Sequence, residues 1–252
     1  MSRRFWGLFI TLFLLQGAPV ATANSTQQFK PVALSDLARF SADQGAIDLK
    51  DLPTFIEYLK ITDCHMFQTV KDSQFRQQEL QNATIARIQK EDMAHKGSDL
   101  FLSLPTTFLT SGYNFDTQSM DIIPLNRLQR VNSLMLYDQR TPICNQGLAA
   151  YKKMPIFHWV QLNFPVSLHR IPLQRSLAET LTAKLDRNRG NESQRIIYGN
   201  ILVQVERIEP EIKKSTHTTP VAYLRGQVVA IDLYVDFERK VRFKRLSYLD
   251  TF

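Results

Sequence analysis

Two stretches near the C-terminus decide the fold: Ile196–Ile208 (IIYGNILVQVERI) and Ala222–Asp236 (AYLRGQVVAIDLYVD). In the first, Ile201, Val203 and Val205 recur at every second position. In the second, Val229, Ile231, Leu233 and Val235 do the same. A period of two is the signature of a strand with one buried face. Val241–Leu246 reads as a third strand, in which Val241 and Phe243 alternate with Lys240, Arg242 and Lys244. Polar loops such as 209–220, not helices, join these three, which predicts an antiparallel meander.

Working upstream, Ile156–Leu168 also alternates. Val160, Leu162, Phe164, Val166 and Leu168 form the apolar face, and Pro165 predicts a kink or an end. Pro172 then opens a helix whose Leu173, Leu177, Leu181 and Leu185 recur every four residues beside Ala178. Residues 151–252 are therefore expected to form a strand-helix-three-strand lobe. Residues 98–150 read as an extended or mixed connecting region, with short strands over 98–125. Within it, Leu128, Val131, Leu134 and Met135 fit one face of a helix.

Residues 24–97 read as a helical lobe. Ser35 resembles the N-cap of a first helix that ends near Gly45. Asp51 and Pro53 open a second, which places Leu52, Phe55, Ile56 and Leu59 inward. Residues 66–95 lack proline and glycine and carry sparse apolar residues, which predicts one long helix or two joined near Asp72-Ser73. A stripe this narrow suits a surface helix or a partner-binding one. The expected fold is α+β: a helical N-terminal lobe followed by a mostly antiparallel sheet with one covering helix.

The N-terminus carries an address. Arg3 and Arg4 precede the apolar run Trp6–Leu15, and Ala21-Thr22-Ala23 is a small-x-small cleavage site. This order is that of a signal peptide over residues 1–23, with cleavage between Ala23 and Asn24. A run of about ten residues is too short to span a bilayer, which needs about 20. No later segment reaches that length without charges, so the mature chain is expected to be exported, periplasmic or secreted, without a transmembrane segment. Removing Arg3 and Arg4 lowers the formal charge from +7 to +5. The compact leader points to a bacterial source.

An oxidising compartment gives the two cysteines a meaning. Cys64 and Cys144 are expected to pair in a disulfide. Closing a loop of about 80 residues contributes about 4.5 kcal/mol on the chain-entropy account.

Chemical motifs are scarce. The chain has no Gly-x-Ser-x-Gly elbow and no glycine-rich phosphate turn, and none of its five histidines pairs at metal-ligand spacing. No catalytic residue, metal or cofactor is therefore expected. Asp232 and Asp236, on one strand face with Tyr234, are the most suggestive carboxylate pair. Arg239, Lys240, Arg242, Lys244 and Arg245 form the strongest charge cluster, a candidate patch for an anionic polymer or lipid phosphate. Lysine and arginine on an edge strand also block aggregation, which is the plainer account of the same residues.

The first functional reading is a non-enzymatic exported binding or accessory protein of the cell envelope, meeting an envelope protein or an anionic envelope polymer. Export disfavours nucleic acid. The alternatives are an envelope hydrolase using Asp232 and Asp236, and an adaptor that binds a protein through helix 66–95. Mass spectrometry of the exported chain without reduction should find an N-terminus at Asn24 and a peptide joining Cys64 to Cys144. Two freely alkylated thiols would refute the bridge.

Overall fold

A computed structural model describes residues 28–94, 100–123, 127–136, 144, 152–188, 195–210 and 221–247. The leader and its cleavage site lie outside the described residues. Among them are five helices and eight strands, an α+β fold with its first four helices at the N-terminal end.

The helical region begins with α1 (Leu34–Asp43), which starts one residue before Ser35. Its N-cap is Ala33, without a side-chain cap, so Ser35 lies inside the helix. Packing overrides the capping signal here, because Leu34 is buried in the helical core. Helix α2 (Leu52–Thr62) starts as expected: Asp51 accepts the Thr54 backbone N–H at 3.1 Å and its hydroxyl at 2.6 Å. The following segment is two helices, α3 (Cys64–Val70) and α4 (Gln74–Ala94), broken at 71–73. Asp63 caps α3 through the Met66 N–H. The buried amide of Gln81 ties α4 to the α1–α2 loop by donating to the Leu49 carbonyl at 2.7 Å.

Beyond α4 runs β1 (Leu100–Asn114), one long strand where short ones were expected. Pro105 is tolerated inside it because the side of β1 away from Asn200 has no ladder there; β2 (Ser119–Ile122) pairs only with 110–114. Next, β3 (Leu128–Met135) corrects the helical expectation for this stretch. Two irregularities in its pairing with β4 (Ile156–Leu168) turn the strand twice, which brings apolar residues to a spacing that imitates a helix. Opposite the step from Val131 to Ser133, β4 runs from Val166 back to Gln161. The surplus residues bow outward, so Phe164 is 55% exposed instead of buried, and Pro165 interrupts no regular ladder.

Pro172 ends a short strand, β5 (Arg170–Pro172), and the helix α5 (Arg175–Asn188) starts three residues later than expected. Its buried face is Ala178, Leu181 and Leu185, which leaves Leu177 on the margin at 38% exposure. Three strands complete the sheet: β6 (Arg195–Pro210), β7 (Val221–Tyr234) and β8 (Arg242–Ser247). They form the expected antiparallel meander, and the β4–β7 pair is parallel.

The strand order is β3-β4-β7-β6-β1-β2-β5, with β8 also on β7. Only His169 separates β4 from β5, yet they stand far apart in that order. The sheet must therefore curl until its path returns to its own chain. Every strand contributes to a single core inside this curl, filled further by α5 and by Leu37 and Phe40 of α1. The other buried apolar residues of α1, Leu34, Ala38 and Ala42, belong to the separate helical core.

The inward alternation of β7 is not continuous. Leu202 pairs with Ala230 but Val203 pairs with Val228, so Val229 is an extra residue. Ala222, Leu224 and Val228 face inward before it; Ile231 and Leu233 do so after it. Val229 itself is only half-buried, contrary to the unbroken alternation read from the sequence. Gly226 lies between Val205 of β6 and Leu162 of β4, where an added Cβ would collide with the Gln204 carbonyl oxygen. Gly226→Ala should lower stability by about 3 kcal/mol in thermal or urea denaturation. A loss below about 0.5 kcal/mol would show that the two strands can part.

Candidate functional site

The β7–β8 pairing places Asp232 opposite Arg245, and the β6–β7 pairing places it opposite Asn200. Asp232 lies on the outer face of the sheet, yet it is 4% exposed. A buried carboxylate needs charged and hydrogen-bonded partners, and two arginines supply them. Arg245 grips it with a two-pronged fork, Nε to Oδ1 at 2.6 Å and Nη2 to Oδ2 at 2.7 Å. Arg242 donates through Nη1 at 3.3–3.4 Å. Both guanidinium side chains remain about half exposed, at 48% and 49%. Two positive charges share one negative charge, so this outer-face cluster is net positive.

Tyr234 stands next along β7. Burial, followed by the neighbouring Asp232 charge, pushes its phenol above the ordinary range, so the group stays a neutral hydroxyl. Asn200 hydrogen-bonds it. The cluster therefore offers guanidinium donors and a neutral phenol around a fixed carboxylate.

The two carboxylates singled out in the sequence, Asp232 and Asp236, have separate partners. Asp236 lies past the end of β7, in the turn to β8, where it accepts the backbone N–H groups of Lys240 and Val241 at 2.8 Å each. Those backbone bonds, the Lys240 N–H first, hold its carboxyl below the ordinary aspartate range. Asp232 and Asp236 are used by two separate structural tasks.

The basic cluster is likewise divided. Arg239 has a left-handed backbone (φ 56°) and donates to the carbonyls of Gly199, Phe237 and Thr106, with its guanidinium 5.8 Å from the centre of the Tyr198 ring. Lys240 pairs with Glu238. Lys244 is half-buried opposite Leu233. Only Arg242 and Arg245 come together.

A second cluster was not recognised in the sequence. Glu209 of β6 accepts from Arg207 (Nη2, 2.8 Å) and from Arg225 of β7 (Nη2, 2.9 Å). The bonds from Arg225, then Arg207, hold the Glu209 carboxyl below the ordinary glutamate range. Arg207 stands opposite Arg225 and Glu209 opposite Tyr223. The available signal was the antiparallel hairpin itself, which brings charges on two strands face to face once the register is known.

The remaining features lie elsewhere. The Cys64 and Cys144 sulfurs are at disulfide distance, with Cα atoms 5.3 Å apart. Nearby, the Lys152 and Lys153 N–H groups bind the Glu57 carboxylate, and Met154 enters the helical core. Residues 152–154 are thus docked on α2. The partner-binding candidate expected as helix 66–95 falls on α3 and α4, and at the start of α4 Phe75 is 86% exposed. A pocket of about 240 Å³ lies between α1, the 45–50 loop and α4, with Ile47, Leu49, Ile85 and Ile88 on its walls. It is smaller than ordinary small-molecule sites. Among the described residues, no three His, Cys, Asp or Glu side chains gather as a metal site, and no helix is long and apolar enough to cross a membrane.

A family model described as "Domain of unknown function (DUF4852)" matches residues 54–184. No curated protein matches the chain, and no solved structure does. The matched region runs from α2 into α5 and stops before β6–β8, where both arginine clusters reside.

The lowered carboxyl of Glu209 fixes a pH dependence. Its stabilising contribution is complete above the ordinary carboxylate range and is lost as pH falls through the lowered folded value. The urea-midpoint difference between wild type and Arg225→Gln should therefore shrink from about pH 6 to about pH 3. A difference that grows on acidification would contradict the assignment.

Proposed function

The chain belongs to the DUF4852 family, and we propose that it is an exported, non-enzymatic binding or accessory protein of the cell envelope whose outer sheet face engages an anionic group. The signal-like leader and the cysteine pair support the location. The observation that carries the binding role is the pair of half-exposed guanidiniums, Arg242 and Arg245, on the buried Asp232. A guanidinium carries five N–H donors in a fixed fork. Asp232 takes up some of them and leaves the rest in reach of solvent. Buried and doubly bonded, it also fixes both arginines before any ligand arrives, which lowers the ordering cost of binding. Carboxylates and phosphates match this fork.

The exposed ring of Phe75, at the start of α4, supports a second reading, an adaptor that meets a protein partner. The hydrolase reading draws no support from the geometry, because Asp232 is held by arginines and Asp236 by turn amides.

Chromatography of the purified mature protein on dextran sulfate against neutral dextran tests the anionic role. Retention should be confined to the charged resin. Arg242→Gln, which leaves Asp232 bound to Arg245, should weaken binding about tenfold. Lys184→Gln on α5 removes the same charge away from the site and should change it much less. Equal effects of the two substitutions would mean that net charge alone drives retention, and would overturn the site.

A further inference from the structure

We infer that the ligand is an extended acidic polysaccharide laid along β7, held at one end by Arg242 and Arg245 and at the other by Arg207 and Arg225. This rests on the anion-binding reading above and adds the ligand class and the second contact.

The extra residue Val229 is the central observation. Side chains alternate faces along a strand, so positions 225 and 232, seven apart, belong on opposite faces of a regular one. The bulge resets the alternation. Tyr223, Arg225 and Gln227 lie outward before it, and Asp232 and Tyr234 lie outward after it. A matching irregularity between Val205 and Arg207 turns Arg207 and Glu209 of β6 to the same side, beside Arg225. Two bulges thus bring two arginine–carboxylate–arginine clusters onto one face. At about 3.3 Å per residue, shortened by the bulge, their separation along β7 is about 20 Å.

The two clusters have the same composition. In each, one carboxylate is shared by two arginines: Glu209 by Arg207 and Arg225, Asp232 by Arg242 and Arg245. Each is net positive by one charge. Neither arrangement satisfies all the guanidinium donors through its carboxylate alone, because each guanidinium has five. A ligand with anionic groups at intervals matches both ends together, and a small anion matches only one.

The groups beside the two clusters suit sugars. Gln227 donates to Gln204 at 3.2 Å across the β6–β7 pair, placing side-chain amides next to the Arg225 end. Leu202 and Ala230 follow, an apolar pair buried at 3% and 5% exposure, so the ligand would pass over them without polar contact. Tyr223 stands at one end of the track and Tyr234 at the other, on the same face as the arginines. Amides suit hydroxyl groups, and aromatic rings suit sugar faces. Contact at both ends makes the second binding event intramolecular, so affinity should rise steeply once the ligand can bridge.

Calorimetric titration of the full mature protein with galacturonic acid and with oligogalacturonates of increasing length tests this. The affinity should increase at least tenfold when the oligomer becomes long enough to reach about 20 Å, and then level off. Arg225→Gln and Arg207→Gln, each leaving Glu209 one arginine partner, should remove that increase; Lys184→Gln should keep it. An increase that survives in both arginine variants, with their melting temperatures close to wild type, would overturn the second contact. Tighter binding of a single-stranded oligonucleotide or of anionic lipid vesicles, with the same sensitivity to Arg225, would overturn the polysaccharide class. Failure of every anion to bind would instead remove the anion-binding reading on which the inference rests.

Discussion

One residue of chain, His169, connects two strands that stand at distant places in the hydrogen-bonded order, and much else follows from that short link. A flat sheet cannot satisfy it. The strands must curl, which gives the sheet an inside that its own side chains and α5 fill, and an outside that faces away from the core. Curling a sheet needs local increases in bend and twist, and bulges supply them. The irregularities in β3, β4, β6 and β7 are thus expected consequences of closure. The same irregularities decide which side chains reach the outer face, so architecture and surface chemistry have one origin.

This also explains what could be read in the sequence. Signals that depend on neighbours a few residues away were legible: the Asp51 cap, the two long C-terminal strands and their meander; the break at 71–73 was one of two alternatives the sequence left open. Signals that depend on a distant partner were not. Val229 is an ordinary strand residue, and nothing local marks it as surplus; its role is set by Val203 and Leu202 across the ladder. The apolar spacing of β3 imitates a helix for the same reason. Ser35 and Pro172 are sound local start signals overruled by packing and by pairing, Leu34 in the helical core and β5 against β2. At the site, Asp232 and the arginines of β8 were each visible as types, but their union required the register. The cluster around Glu209 required the β6 bulge as well.

The family match ends inside α5, while the sheet path needs β6 and β7 between β1 and β4. Residues 54–184 hold β1 and β4 without the strands that join them. They also omit α1, which lends Leu37 and Phe40 to the sheet core. The physical unit is therefore larger than the matched region, and the arginine-bearing hairpin belongs to the part that completes it. Whatever the matched residues do in common with other members, here they act as a frame on which β6–β8 are mounted.

Helix α1 is buried on two sides, with Leu37 and Phe40 in one core and Leu34, Ala38 and Ala42 in the other; Arg39 is exposed on the side that remains. A helix used this way acts as a mechanical spar. Any swing of the helical region against the sheet has to pull one of these faces out of close-packed surroundings, where there is no intermediate position of low energy. The sheet core and the helical core are consequently coupled through the two faces of one ten-residue helix.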